Sequence, residues 1–297
     1  MLLLRASSLL TRRRSAVPAV RVRQHLFAAL RASPRAHAQT THAMLVHQFP
    51  ALGDNYGYLL HDPATGCTAA VDTPCAAAVE RALTDKGWRL THILNTHHHA
   101  DHTGGNLELK QRHQCSVVGP AADQERIPGL DVAASDGDVL ALGASSYVVM
   151  HTPGHTRGHC AFFFPTERCA FVGDTLFSLG CGRLFEGTPA QLYASLASLA
   201  ALPDDTLLYC AHEYTASNAR FAMSLEPGNQ ALQERVAQVT SLRERGLPTV
   251  PTTLQLEKDT NPFLRTHSLE LRKSLGFGAE ARDVDVLAAA RKAKDTF

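Results

Sequence analysis

The chain of 297 residues has no CxxC pair, no GxSxG motif and no apolar run longer than a few residues. Each absence removes a class of protein. Without 18 or more consecutive apolar residues there is no membrane-spanning helix. Seven cysteines, an odd number without CxxC spacing, argue against a disulfide framework and against a zinc ribbon, and most are expected as small buried apolar residues. Without GxSxG there is no strained strand-to-helix turn to present a serine nucleophile. No repeat of 20 to 50 residues is present, which argues against a solenoid or propeller. What remains, 44% hydrophobic and 19% charged, is the composition of an ordinary globular protein with a sizeable core.

The most local absence is of charge of one sign. Residues 1–43 hold eight arginines (Arg5, Arg12, Arg13, Arg14, Arg21, Arg23, Arg31 and Arg35) but no Lys, Asp or Glu, and the first acidic residue is Asp54. An Arg-rich, acid-free start with scattered Ser, Leu and Ala has the composition of a mitochondrial transit peptide, with a plastid as the other destination. The competing reading is a basic arm for nucleic acid or anionic lipid, which ordinarily uses Lys as well. Met44 offers a start for a shorter cytosolic form. Removing the segment turns the formal net charge of +1 into −7 for residues 44–297, with 21 basic residues against 28 acidic. That balance gives no electrostatic case for a nucleic-acid partner.

From 45 to 212, short β-like runs alternate with turns. Strands are expected at Tyr56–Leu60, Thr68–Val71, His92–Asn95, Ser116–Val118, Ser146–Met150, Cys160–Phe164, Cys169–Val172 and Thr206–Cys210, and helices at 75–86 and 189–201. This order suggests an α/β protein with two sheets and helices outside. After residue 213 the pattern turns helical. Asn229 can cap a helix with Leu232, Val236, Val239 and Leu242 on one face, ended by Gly246, and further helices fit 268–275 and 283–294. The expected organisation is a basic segment at 1–43, a catalytic domain at 44–212 and a helical domain at 213–297.

The richest chemistry lies in Thr96-His97-His98-His99-Ala100-Asp101-His102-Thr103-Gly104-Gly105, directly after the strand expected at 92–95. At a strand end His97 and His99 point to one side and His98 to the other, while Asp101 and His102 follow on the turn. Imidazoles with a carboxylate suit Zn, Fe or Mn, whereas calcium and magnesium prefer all-oxygen sites. His155 in TPGHT, Asp174 in GDTLF and His212 in CAHEY each come just beyond an expected strand, where donors from different strands can meet at one sheet edge. His98, His151 and His159 are expected to support these residues or to pack.

With these residues in place, the chain resembles the metallo-β-lactamase superfamily and, within it, glyoxalase II, the hydroxyacylglutathione hydrolases. The resemblance runs from Met44 to Phe297. It rests on THHHADH, on Asp54-Asn55-Tyr56, on Gly180-Cys181-Gly182-Arg183, on HEYT at 212–215, and on EPGN at 226–229, NPFLR at 261–265 and KDTF at 294–297. It implies an αββα sandwich with a C-terminal helical domain and a site for two divalent metal ions, zinc first among the metals such ligands accept. It also implies that His97, His99 and His155 hold one ion, that Asp101, His102 and His212 hold the other, and that Asp174 bridges both. Five neutral imidazoles leave much of the charge of two dications uncompensated, which keeps a bridging water acidic.

The activity so implied is hydrolysis of S-(2-hydroxyacyl)glutathione, typically S-D-lactoylglutathione, to glutathione and a 2-hydroxy acid such as D-lactate, a step in methylglyoxal detoxification. A metal-bridging hydroxide attacks the thioester, and Asp101 can orient or deprotonate the attacking water. For the anionic tripeptide the resemblance points to Arg183, Phe185, Tyr214, Arg291 and Lys294, the last two being three apart on one helix face. Phe185 stands where the family often has Tyr, and Ala211 stands where a Gly usually precedes the last metal histidine. The nearest alternatives are a mononuclear-iron persulfide dioxygenase of the same superfamily and a metal-holding scaffold without activity. A monomer with no membrane partner is expected.

Overall fold

The computed structural model describes residues 44–297; the Arg-rich segment 1–43, and the targeting role read into it, lie outside the described residues. Two six-stranded sheets face each other. The first runs in spatial order β1 (Leu45–Ala51), β2 (Asn55–His61), β3 (Thr68–Val71), β4 (His92–Leu94), β5 (Ser116–Pro120) and β6 (Val132–Ala134). It is antiparallel from β1 to β3 and parallel from β3 to β6. The second contains β7 (Val139–Leu142), β8 (Ser145–His151), β9 (Cys160–Phe164), β10 (Cys169–Gly173), β13 (Leu207–Cys210) and β14 (Thr252–Thr253). Its spatial order is β14-β13-β10-β9-β8-β7, and β10 and β13 pair in parallel. A small hairpin, β11 (Leu176–Phe177) with β12 (Gly180–Cys181), leaves the second sheet after β10.

The apolar runs explain this arrangement. Phe162, Phe163 and Phe164 of β9 are all fully buried, so both faces of this strand are covered. Between the sheets Tyr58 packs edge-on against Phe171 and Tyr209, both at 5.3 Å, and its hydroxyl donates to the Cys210 carbonyl at 2.6 Å. On the outer face of the first sheet, helix α1 (Ala76–Lys86) lays Ala78, Val79, Ala82 and Leu83 against Leu59, Ile93 and Val117. Removing such a buried Leu or Ile side chain to Ala costs about 2–5 kcal/mol. Two more helices, α2 (Ala100–Thr103) and α3 (Asn106–His113), follow β4, and α4 (Pro189–Ala200) opens with a capping box in which Thr188 and Gln191 satisfy each other's backbone N–H groups.

Helices α5 (Thr215–Leu225), α6 (Gln230–Glu244), α7 (Leu254–Thr260), α8 (Leu269–Ser274) and α9 (Asp283–Asp295) complete the chain. Asn229 caps α6 by accepting the Leu232 N–H at 3.1 Å, as its position in the sequence suggests. These helices grip the β11–β12 hairpin. The buried Glu257 carboxylate accepts the Leu179 N–H at 2.8 Å, and Asn261 donates to the Phe177 and Gly180 carbonyls, both at 3.0 Å. All seven cysteines are unpaired, and five are buried.

Candidate metal centre

The donors cluster at one edge of the sandwich because each follows the C-terminal end of a strand. His97, His99, Asp101 and His102 come after β4, His155 after β8, Asp174 after β10 and His212 after β13. The two sheets are stitched together here. Cys160 N–H donates to the Thr96 carbonyl at 2.9 Å, and Tyr56 N–H to the Ala211 carbonyl at 2.7 Å.

Four imidazoles are fixed from behind. The Nδ1 atom lies 3.0 Å from Thr96 Oγ1 in His97, 2.8 Å from Asp72 Oδ2 in His102, 2.9 Å from the Arg183 carbonyl in His155 and 2.9 Å from Asp54 Oδ1 in His212. Thr96 Oγ1 spends its own proton on Asp72, at 2.8 Å. Each of these four rings therefore carries a proton on Nδ1 and aims Nε2 inward. Burial, with neighbouring imidazoles, pushes the His97 pKa well below its ordinary value, and takes that of His99 down to about 4. Burial also lowers the pKa of His155. These rings are neutral at pH 7, with lone pairs to offer.

The inward atoms form two groups. His97 Nε2 and His155 Nε2 lie 3.0 and 3.1 Å from His99 Nδ1. His102 Nε2 and His212 Nε2 each lie 3.4 Å from Asp101 Oδ2. Asp174 stands between the groups: Oδ2 is 3.4 Å from His155 Nε2, and Oδ1 is 3.5 Å from both His102 and His212. Among the described residues, His102 Nε2 and Asp174 Oδ1 are buried with no hydrogen-bond partner. Orphaned buried polar atoms are costly, and here two bare imidazole lone pairs also converge on one His99 nitrogen. Cations resolve both problems, and the N/O donor chemistry fits a divalent transition metal. Burial alone would depress the His102 pKa, but Asp174, Asp72 and Asp101 raise it well above the ordinary value, so this spot favours positive charge.

Asp72 holds the centre from beneath. It sits just past β3 with φ of 55°, in the left-handed region that Asp tolerates better than most residues. Its carboxylate accepts the Thr96 N–H, the Thr96 hydroxyl and His102 Nδ1, each at 2.8 Å. Sequence reasoning missed Asp72, since its three donors lie 24 to 30 residues away. Asp54 and Asn55, noted there only within a family pattern, also act here: Asn55 donates to Asp101 Oδ2 at 3.0 Å. His159 stacks on His97 at 4.9 Å and accepts the Asp174 N–H at 3.0 Å. His98 turns away to Asp123, and His151 is exposed, with Nε2 3.1 Å from the Arg157 carbonyl. Gly182 is required for space, since a Cβ there would meet the Asp174 carbonyl oxygen at 1.9 Å.

A cleft of about 600 Å³ opens from this floor. Tyr214 stacks on His212 at 4.7 Å and 3°, and Phe185 sets its ring edge-on to His155 at 5.1 Å and His99 at 5.8 Å. The cations differ among themselves. Arg183 is 65% exposed, with Nε 3.8 Å from Asp295. Lys294 donates to the Ser217 carbonyl and hydroxyl at 3.3 and 3.2 Å, between the rings of Phe221 and Phe297. Arg291 is buried: it donates to the Cys181 carbonyl at 2.7 Å and to Asp295 at 3.0 Å, and its Nε has no partner among the described residues.

This architecture is shared with known proteins. The metallo-beta-lactamase superfamily profile matches residues 52–212, and that of the hydroxyacylglutathione hydrolase C-terminus matches residues 213–297. The hydroxyacylglutathione hydrolase of Methylococcus capsulatus is 55% identical over 250 residues, covering 84% of this chain and 97% of its own length. That of Maricaulis maris is 52% identical over 254 residues, covering 86% and 99%. Among solved structures, ETHE1 from Myxococcus xanthus is similar with a TM-score of 0.59 and 28% identity, over 84% of this chain and 97% of its own. A protein solved in a di-iron-bound form is similar at 0.52 and 25%, over 74% of this chain and 100% of its own. Matched along both its sandwich and its helical tail, the chain belongs to the hydroxyacylglutathione hydrolases, the glyoxalase II family of the metallo-β-lactamase superfamily.

Proposed function

We infer that this chain hydrolyses the thioester of S-(2-hydroxyacyl)glutathione, with S-D-lactoylglutathione as the typical substrate, releasing glutathione and a 2-hydroxy acid. The observation that carries the reading is the union, in one cleft, of a two-lobed imidazole–carboxylate floor with walls bearing Arg183 and Lys294. A thioester needs the floor, and an anionic tripeptide needs the walls.

His97, His99 and His155 would hold one divalent ion, Asp101, His102 and His212 a second, and Asp174 would face both; zinc is the first choice, with iron or manganese accepted by the same donors. Ions bound there supply Lewis acidity, which lowers the pKa of water in the site and polarises a thioester carbonyl. The chain's own residues do the rest. Asp101, with its side chain 40% exposed and held by Asn55, would align the attacking water or accept its proton. Asp54, Asp72 and the Arg183 carbonyl keep His212, His102 and His155 in the tautomer that presents Nε2. The departing thiol has a free pKa of about 8.5, so it leaves as thiolate without a strong protein acid. Arg183, Lys294 and Tyr214 hold the parts of the tripeptide that do not react.

The test is an assay of metal-analysed protein with S-D-lactoylglutathione, with and without oxygen. Equal thioester loss in both is expected. Loss that stops without oxygen, or two bound ions with no turnover, would overturn the reading. We further propose that residues 1–43 direct the chain to the mitochondrial matrix. A reporter fused to residues 1–43 should enter mitochondria, and plastid or cytosolic accumulation would contradict this.

A further inference from the structure

The network around Arg126 takes no part in the chemistry above, yet it joins the two loops that flank the metal-facing histidines. Its guanidinium donates to both Glu186 carboxylate oxygens, the second at 3.0 Å, and to Asp123; Arg126 Nη1 also lies 3.2 Å from His98 Nε2. His98 Nδ1 is 3.1 Å from the other oxygen of Asp123. Asp123 is fully buried and fits only because residue 158 is Gly, where a Cβ would meet its carboxyl carbon at 2.2 Å. One side of this network is thus the loop carrying His97 and His99. The other is the 183–187 loop, which carries Phe185.

That second loop is held from two directions. On its inner side Phe185 N–H donates to the His155 carbonyl at 3.3 Å, and Gly187 N–H to the Gly154 carbonyl at 3.0 Å. On its outer side the Glu186 carboxylate is forked by the Arg126 guanidinium and accepts the Arg157 N–H at 2.8 Å, with Arg157 Nε at 3.5 Å and His98 Nε2 at 3.7 Å. The Arg126 guanidinium, with the Arg157 N–H, holds the Glu186 carboxyl down at about 2, so the pair is charged throughout the physiological range. Phe185 is 63% exposed, with little packing of its own to hold it beside His99 and His155. An exposed aromatic that must stand at one place beside a reacting group needs its backbone fixed elsewhere.

We propose that Glu186 and Arg126 are positioning residues for substrate: their bidentate ion pair fixes the backbone on which Phe185 forms the apolar wall of the cleft beside His99 and His155. The proposal rests on the hydrolase reading. It adds that the wall touching the glutathione thioester is set by a salt bridge outside the metal donors and outside the helical tail. A fork-shaped guanidinium suits this task, because two parallel bonds fix orientation as well as distance.

The experiment compares metal-loaded wild type with Glu186→Ala, Glu186→Gln, Phe185→Ala and the Phe185→Ala/Glu186→Ala double variant. Two readouts are used: amide hydrogen exchange of the 183–187 segment, and steady-state kinetics on S-D-lactoylglutathione. For Glu186→Ala, exchange in 183–187 should speed up at least about tenfold with wild-type metal content. KM should rise about five- to tenfold with kcat within about twofold, the sign of a contact made to a part that does not react. The double variant should be no worse than Phe185→Ala alone, because Glu186 acts through Phe185. Glu186→Gln, which retains an acceptor for the Arg157 N–H, should fall between and serves if the Ala variant folds poorly. Unchanged exchange, additive effects in the double variant, or a loss confined to kcat or metal content would each overturn the proposal. Failure of wild type to turn over any acylthioester would instead break the hydrolase reading, and the exchange result would still decide whether the ion pair fixes the loop.

Discussion

At the sandwich end of the cleft, His97, His102, His155 and His212 are at most 4% exposed, and each has its rear nitrogen tied to an oxygen acceptor. At the rim Arg183 is 65% exposed, with its Nε 3.8 Å from Asp295. The difference matches what the proposed function asks of each region. Side chains that are to hold a metal ion must present their lone pairs within a few tenths of an ångström, and hydrogen bonds from behind fix these tautomers in advance. A cation proposed to meet a flexible tripeptide at the rim needs reach and hydration more than rigidity. Lys294 lies between these extremes, half-buried, whereas Arg291 is as buried as the histidines, and both are already engaged with the protein.

The sharpest way to break this contrast is to remove a donor. His102→Ala should lower metal content toward one ion per chain and cut kcat by more than about 100-fold, beyond the range typical of supporting residues. Metal analysis alongside kinetics checks it, and unchanged values would refute the two-lobed assignment. Next in size is Asp72→Asn. Asn tolerates the left-handed backbone but turns an amide toward three donors, so metal affinity or kcat should drop about 10–100-fold with the fold retained by circular dichroism.

On the recognition side the expected effects move from kcat to KM. Lys294→Ala should raise KM by about tenfold while kcat stays within about twofold, the loss of a charge-assisted contact to a remote carboxylate. Arg291→Ala should raise KM too, but it should also lower thermal stability by about 1–3 kcal/mol, because the Cys181 carbonyl loses its buried donor. Comparing the two melting temperatures separates a binding cation from one that also supports the hairpin. The smallest effect is expected for Phe185→Tyr at the exposed rim. A new hydroxyl contact there is worth about 0.5–1.5 kcal/mol, seen as a modest fall in KM.

Much of this was visible in the chain, though unevenly. The buried strands β9 and β10 stand out as apolar runs, and α1, α4, α6 and α9 follow their apolar spacing within one or two residues. Strand β1 escapes notice because Pro50, His47 and Gln48 break its pattern; it exists through its seven-residue register with β2. Likewise β6 and β7 are short edge strands with exposed residues, legible only through their pairing. Helix α5 hides between HEYT and EPGN because its first turn holds small and polar residues.

The sequence by itself determined the donor chemistry. His97, His99, Asp101 and His102 are close in the chain, so local geometry alone brings them together, and imidazole with carboxylate restricts the metal to a class. Only the tertiary structure decided which nitrogen of each ring faces inward, through partners such as Asp72 and Asp54, which lie 30 and 158 residues from the rings they orient. It also decided that Arg183 is exposed at the rim, 3.8 Å from Asp295, while Arg291, equally cationic on paper, is buried and hydrogen-bonded to Cys181 and Asp295. The physical reason is common to both. A residue's capacity to donate or accept is a property of its side chain, but whether that capacity is already satisfied depends on atoms that only folding brings within about 3 Å.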